Sequence, residues 1–282
     1  MLRLSALYVH PVKSCRGIAV PTAAVDEFGL AGDRRFLVVD AAGRFLTQRT
    51  LPRMALIETA LTAECLILSA SSSDSVRVPL QPPTQNPERK TLNPEPITVT
   101  VWKDTVTADD CGDKPASWLS NFLGLPCRLV HAGAAYTRPI PPHKIPSPLA
   151  LGPMPAHAVS FADAFPFLLI SEESLADLNA RLAAPLPIDR FRPNLVVSGA
   201  APYAEDTWSR FRIGDVVFHG ATRCSRCVVT TTDQVTAERA PEPLKTLASY
   251  RRDADGAVMF GRNLLHETKT GRLAVGDTVE LL

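Results

Sequence analysis

The sequence predicts an α+β protein that is rich in β-structure, built on barrels and carrying a few short helices. Three observations lead there. Short apolar and β-branched runs bounded by turn residues recur along the whole chain. The 282 residues include 25 prolines, which favour turns and edge strands and interrupt long helices. Only three stretches show the spacing of an amphipathic helix, and each is short.

Taken in order, residues 2–9 read as a strand, 18–25 as a second and 34–40 as a third, with turns at 10–17 and 29–33. Shorter strands follow at 45–49, 54–62, 65–69 and 75–80. Residues 81–96 read as a long hairpin loop, because strand material resumes at 97–102. A helix then starts at Asp113 as N-cap, with Ala116, Leu119 and Leu123 on its apolar face. Asp109 and Asp110 just before it read as capping acids, with docking of a basic redox partner as the rarer alternative. Seven prolines crowd residues 134–158, which marks a connecting or cover loop. The pattern restarts with a strand at 167–170 and a helix capped by Ser171 that aligns Leu175, Leu178 and Leu182. Strands at 195–198, 211–213, 215–219 and 228–232 follow. A helix at 242–252, a turn at 260–263 and a strand at 273–282 broken by a Gly-Asp pair close the chain. The division implied is 1–133 as an N-terminal β-rich domain whose first strands join the main barrel, 134–158 as connecting loop, and 159–282 as the second domain.

A net charge of +1 argues against nucleic acid or an anionic membrane as the main partner. The chain starts on strand-like residues, with no signal peptide and no apolar run of membrane-spanning length. Its six cysteines form no dense framework, so reduced thiols in a cytoplasmic setting are expected. Glycine-rich dinucleotide and P-loop motifs, zinc-protease and nucleophile-elbow motifs, and a four-cysteine cluster run are all missing from the sequence. A redox enzyme of this sequence would take its electrons from another chain.

The chemistry concentrates at residues 221–232, where Cys224 and Cys227 stand among Arg223 and Arg226. Neighbouring guanidinium groups favour the thiolate, the form that attacks electrophiles and binds soft metals. Three other readings stay open. A structural zinc site needs four ligands. A thioredoxin-like pair should open a helix, whereas strand material follows here. Two buried thiols could also act as small hydrophobes. Strand parity would put Cys227 on the face of Ser225 and not of Cys224, so one cysteine does chemistry while the other packs. Elsewhere, Lys13, Ser14 and Gly17 form a turn able to hold a phosphate. Arg34 and Arg35 enter a strand on opposite faces, so one can face a pocket. Arg190 and Arg192 share a side in an extended segment. Solvated surface is the bland reading of each.

Several motifs occur together and in order: Pro11-Val12-Lys13-Ser14-Cys15, Gly32-Asp33-Arg34-Arg35-Phe36, residues 169–179, Phe191-Arg192-Pro193-Asn194, residues 203–208, Cys224-Ser225-Arg226-Cys227 and residues 242–247. On these the chain resembles the MOSC-domain proteins, in the branch that contains the mitochondrial amidoxime-reducing component and bacterial reductases of N-hydroxylated compounds. The resemblance implies a MOSC β-barrel core preceded by a MOSC N-terminal domain. It also implies a molybdenum cofactor of molybdopterin type, with Cys227 as the catalytic metal ligand. Lys13, Ser14, Arg35, Arg192, Ser225, Arg226 and Asn263 would contact that cofactor. Substrates would be small N-hydroxylated compounds, and electrons would come from a ferredoxin, flavoprotein or cytochrome b5 type of protein. The departures are Asn263 where animal relatives place Tyr, Ala164 and Phe165 where they place small hydroxyl residues, and no N-terminal anchor. Asp206 and Glu205 are the acids considered as proton donors. A sulfur carrier or cofactor-handling protein using a Cys227 persulfide is the alternative.

Overall fold

The computed structural model describes residues 1–71, 73–80, 96–145 and 157–282. The N-terminal half contains β1 (Arg3–Val9), β2 (Ile18–Val20), β3 (Thr22–Asp26), β4 (Gly29–Leu30), β5 (Phe36–Asp40), β6 (Glu58–Leu61), β7 (Cys65–Ala70), β8 (Ser73–Pro79), β9 (Pro96–Val101), β10 (Asp104–Asp110), helix α1 (Asp113–Leu123) and β11 (Cys127–His131). The C-terminal half contains β12 (Phe167–Ser171), α2 (Glu172–Asn179), β13 (Leu195–Ser198), β14 (Arg210–Ile213), β15 (Val216–Ser225), α3 (Leu244–Ala248), β16 (Met259–His266), β17 (Arg272–Ala274) and β18 (Val279–Leu281). The class is α+β and β-rich, as expected.

An eight-stranded sheet runs in the order β18-β14-β15-β16-β12-β13-β1-β2. Strand β1 therefore pairs with β13 of the second half, and β2 follows at the edge beyond it. Among the described residues no strand ladder closes this sheet into the barrel implied by the resemblance; only an isolated bridge, Arg3 to Thr278, links β1 to the residue before β18. One corner is stitched instead, where Leu4 N donates to Asp277 O and Val279 N to Leu2 O. Its core includes Leu4, Leu7, Phe167, Leu195, Phe211 and Phe218. Fully burying such side chains contributes about 1.5–3 kcal/mol each before entropy is counted. A second sheet, β5-β11-β10-β9, and the meander β6-β7-β8 pack around α1 and its buried Leu119, Phe122 and Leu123. Strand β17 pairs with β3, which ties the end of the chain back to its beginning.

Helix α2 starts as read: Ser171 Oγ accepts from Ser174 N at 3.1 Å, a cap typically worth about 1 kcal/mol. Glu205 completes that corner, accepting from Ser171 Oγ at 3.0 Å and Ser174 Oγ at 2.7 Å. Several expectations need correcting. The run 228–232 forms a 3-10 turn, Val228–Thr231, and not a strand. Thr230 Oγ1 donates to Cys227 O and Thr231 Oγ1 to Val228 O, so the hydroxyls satisfy the local backbone and bend it. Residues 260–263 lie inside β16, where Gly261 substitutes for a turn residue in appearance only. A Cβ there would come within 2.7 Å of Ile170 Cγ1, so glycine lets β16 approach β12. Residues 45–49 make only isolated bridges, and Pro52 starts a 3-10 turn before β6. The cap of α1 is Gly112, and Asp113 pairs with Arg128. Strands β10 and β11 are missing from the sequence reading, and Asp109 and Asp110, read as capping acids, end β10. The loop 81–96 lies almost wholly outside the described residues, as do four of the seven prolines of 134–158. No helix among the described residues is long and apolar enough to cross a membrane.

Candidate functional site

Short loops at the ends of β1, β5, β12, β13 and β15 converge on one cleft of about 850 Å³. That volume suits a cofactor or small ligand. Both Cys224 and Cys227 line it, together with Lys13, Ser14, Arg192, Ser225, Arg226 and Asn263. Seven of the eight residues the sequence and resemblance single out thus meet in one place. They come from segments up to 250 residues apart, since Lys13 and Asn263 share the wall. The parity argument fails for the cysteines, because β15 ends at Ser225 and Cys227 caps the following 3-10 turn.

Arg35 is the exception. Its guanidinium donates to both carboxylate oxygens of Asp26 and lies 4.6 Å from the Phe28 ring centroid, away from the cleft. Arg34 lines the cleft in its place. It has φ of 50° and donates to Asp33 Oδ2, Asn194 Oδ1 and Arg192 O. Adjacent side chains at a strand entry must diverge, and the structure selects the first of the pair.

The turn at Lys13 and the segment at Arg192 are welded together. Arg192 is in the left-handed region with φ of 56°, and its Nη1 donates to Cys15 O at 2.6 Å. His10 lies between them, its Nε2 donating to Pro193 O at 3.0 Å. Burial together with Arg192 and Arg34 pushes the His10 pKa well below its ordinary value, so the ring is neutral. Gly17 makes room for His10: a Cβ would lie 2.4 Å from its ring.

Lys13 is buried, donates to Phe161 O at 2.8 Å and pairs with Asp163. Burial lowers its pKa to about 8, against the opposing pull of Asp163. Asp163 is half-exposed by area, yet loses hydration within the cleft, which alone would raise its pKa. Lys13 and Arg49 outweigh that and hold the carboxyl well below the usual range. Arg49 donates to Asp163 Oδ2 at 2.9 Å and lies beside the Cys227 thiol. Arg226 turns to the other cysteine: Nη1 donates to Cys224 Sγ at 3.0 Å and Nη2 to Phe191 O at 2.7 Å. Arg223 leaves the site to pair with Asp253. Burial lowers the Arg192 pKa to about 10, with Arg34 adding to the effect.

Among the described residues the lining holds eight lysine and arginine side chains against two acids, Asp104 and Asp163. Arg192 Nη2 and Arg226 Nε are buried without a hydrogen-bond partner. Among the described residues these donors have no partner, and unpartnered buried donors are costly, so the cleft favours an anion. The donor set fits an anionic cofactor that carries a soft metal: thiol for metal, ammonium and guanidinium for phosphate. Among the described residues no three His, Cys, Asp or Glu side chains converge, so a structural zinc site has no ligands beyond the two cysteines.

Asp206 and Glu205 stand outside the cleft. Asp206 pairs with Arg251, and Glu205 is fully buried at the start of α2. Neither lines the cleft. The sequence reading leaves Arg34 and Arg35 as alternatives, the resemblance chooses Arg35, and Arg49, Arg138 and Asp163 are missed. Asp163 precedes Ala164 and Phe165, which do line the cleft as an apolar stretch. No local pattern distinguishes these three from ordinary surface charges.

Two family models match the chain: one described as the MOSC N-terminal beta barrel domain over residues 1–126, and the MOSC domain over residues 156–280. The chain is 36% identical over 291 residues to mitochondrial amidoxime-reducing component 1 of Homo sapiens, covering 99% of this chain and 82% of that protein. The Mus musculus counterpart is 35% identical over the same shares. Molybdenum cofactor sulfurase of Danio rerio is 34% identical over 94% of this chain, but over only 32% of that longer protein.

Proposed function

Because the chain belongs to the MOSC-domain proteins, in the group that includes the mitochondrial amidoxime-reducing components, we propose that it is a molybdenum-cofactor-dependent reductase of N-hydroxylated substrates, driven by electrons from a separate protein. The observation that carries this reading is the cleft itself. A partly exposed thiol at Cys227 stands in a strongly cationic wall in which two arginine donors lack partners.

Cys227 would hold the metal, and Lys13, Ser14, Arg34 and Arg192 would hold the anionic tail. When bound, the cofactor would supply a two-electron couple. The net change consumes two electrons and two protons, converting N–OH to N–H and water. Fixed cations need little rearrangement when negative charge arrives, which is where such a site lowers a barrier. Arg226 is fixed by Cys224 and Phe191, so Cys224 acts through Arg226 and not on substrate. Asp163 stays ionised and clamps Lys13 and Arg49, which excludes it as a proton donor. Ala164, Phe165 and Leu168 keep one stretch of the wall apolar, and water is correspondingly disfavoured there.

The test uses protein purified from a host that makes the cofactor. Molybdenum near one per chain, with reduction of benzamidoxime by reduced viologen dye, supports the reading. Sulfane sulfur on Cys227 without molybdenum would replace it with the sulfur-carrier reading, to which the sulfurase likeness also points.

A further inference from the structure

The hairpin between β9 and β10 carries Trp102 at its tip, and its backbone there has φ of 59°. Such turns favour glycine or asparagine, and a bulky residue in this region is a rare and costly choice. Core packing does not account for it, since Trp102 is 44% exposed. Instead the indole forms part of the wall of the cleft that holds Cys227. Three contacts fix its orientation: Nε1 donates to Asp163 Oδ1 at 3.3 Å, the Arg49 guanidinium lies 4.5 Å from the ring centroid, and Phe45 packs at 5.0 Å. Arg49 and Asp163 are the same side chains that surround the thiol and Lys13.

We propose that Trp102 is a specificity-determining residue, the surface on which planar aromatic N-hydroxylated substrates stack while their N–OH group reaches the Cys227 end of the cleft. The inference rests on the reductase reading. A ring held at the cleft wall, exposed and prevented from swinging away, is preorganised for stacking. The apolar residues Ala164, Phe165 and Leu168 of the same cleft favour the same class of ligand. Small aliphatic substrates would gain nothing from the ring.

The experiment compares benzamidoxime with acetamidoxime on the cofactor-loaded protein. Affinity is first measured by calorimetry without any electron donor, and kcat/KM is then measured with reduced viologen. Trp102→Gly removes the ring while suiting the backbone conformation, and Trp102→Phe retains an aromatic face. The expected result is a fall of about fivefold in the benzamidoxime-to-acetamidoxime ratio for the glycine variant, with most of the ratio kept by the phenylalanine variant. An unchanged ratio, or a proportional fall for both substrates, overturns the proposal and leaves Trp102 a strut. Because binding is read without turnover, a protein that shows the ratio but reduces neither compound overturns only the reductase reading.

Discussion

Lys13 should make anion binding to the cleft pH-dependent near neutrality, which an ordinary lysine cannot do. Burial lowers its pKa to about 8, and a bound anion needs the ammonium form. For such a group the charged fraction is roughly nine-tenths at pH 7 and one-tenth at pH 9, so affinity should fall about tenfold over that interval, or about 1.4 kcal/mol. Sulfate is the appropriate probe, since its own charge is constant over this range. Calorimetry on cofactor-free protein at fixed ionic strength reads the effect. Lys13→Arg keeps its charge throughout and should flatten the profile. Asp163→Asn removes a group that raises the Lys13 pKa, so the midpoint should move below 8. Stability carries the same signature with a definite sign. The folded pKa lies below the unfolded one, so folding releases a proton; stability is reduced below pH 8 and recovers as pH rises toward the unfolded value. The recovery is about 3 kcal/mol. It should be present in wild type and lost in Lys13→Met, a comparison in which Lys269, also lowered to about 8 by burial, cancels. A flat wild-type sulfate profile, or the same fall in Lys13→Arg, refutes the reasoning.

Cys227→Ser should lose molybdenum and turnover while its unfolding free energy in urea stays within about 1 kcal/mol of wild type; retained metal at full occupancy would falsify the ligand assignment. Arg192→Met deletes a buried cation with an unpartnered nitrogen. The variant also gives up the Nη1 bond to Cys15 O, so the cofactor-free form should unfold in urea within about 1–2 kcal/mol of wild type while its molybdenum content falls; unchanged molybdenum content removes Arg192 from the anion site. Glu205→Ala strands the two hydroxyls and one amide that now donate to the carboxylate. It should cost about 2–4 kcal/mol in urea unfolding, and a loss below about 1 kcal/mol would mean that water replaces the carboxylate.

Fold class and most strands were legible because apolar periodicity depends on one face of a sheet being buried, which the chain encodes locally. Thus β1, β7, β12, β13 and β15 fall where alternation and β-branched runs place them. The failures share a cause. Val228-Val229-Thr230-Thr231 has strand composition, but its hydroxyls bond carbonyls three residues back and close a turn. Gly261 has turn composition, but it is required by a neighbouring strand 90 residues away in sequence. β11 sits between β5 and β10, and its pairing partners, not its composition, make it a strand. In each case the deciding contact lies outside the window that a propensity argument sees.

At the site, the motif residues were legible as types and not as orientations. Lys13, Arg192 and Cys227 meet because β1 and β13 are neighbours in one sheet and β15 is linked to them through β16 and β12. Arg34 and Arg35 differ by one position, and only the paired acid decides between them: Asp26 captures Arg35 bidentately, while Asp33 and Asn194 steer Arg34 toward Arg192. Asp163 could not be found from sequence for a related reason. It has no motif of its own, and it matters because it is the one acid that two cations of the cleft, Lys13 and Arg49, share. An anion entering the cleft must compete with this carboxylate for both of them. The site is therefore preformed by an internal counter-ion, and the affinity it displays is the difference between two anions and not the full attraction of eight cations.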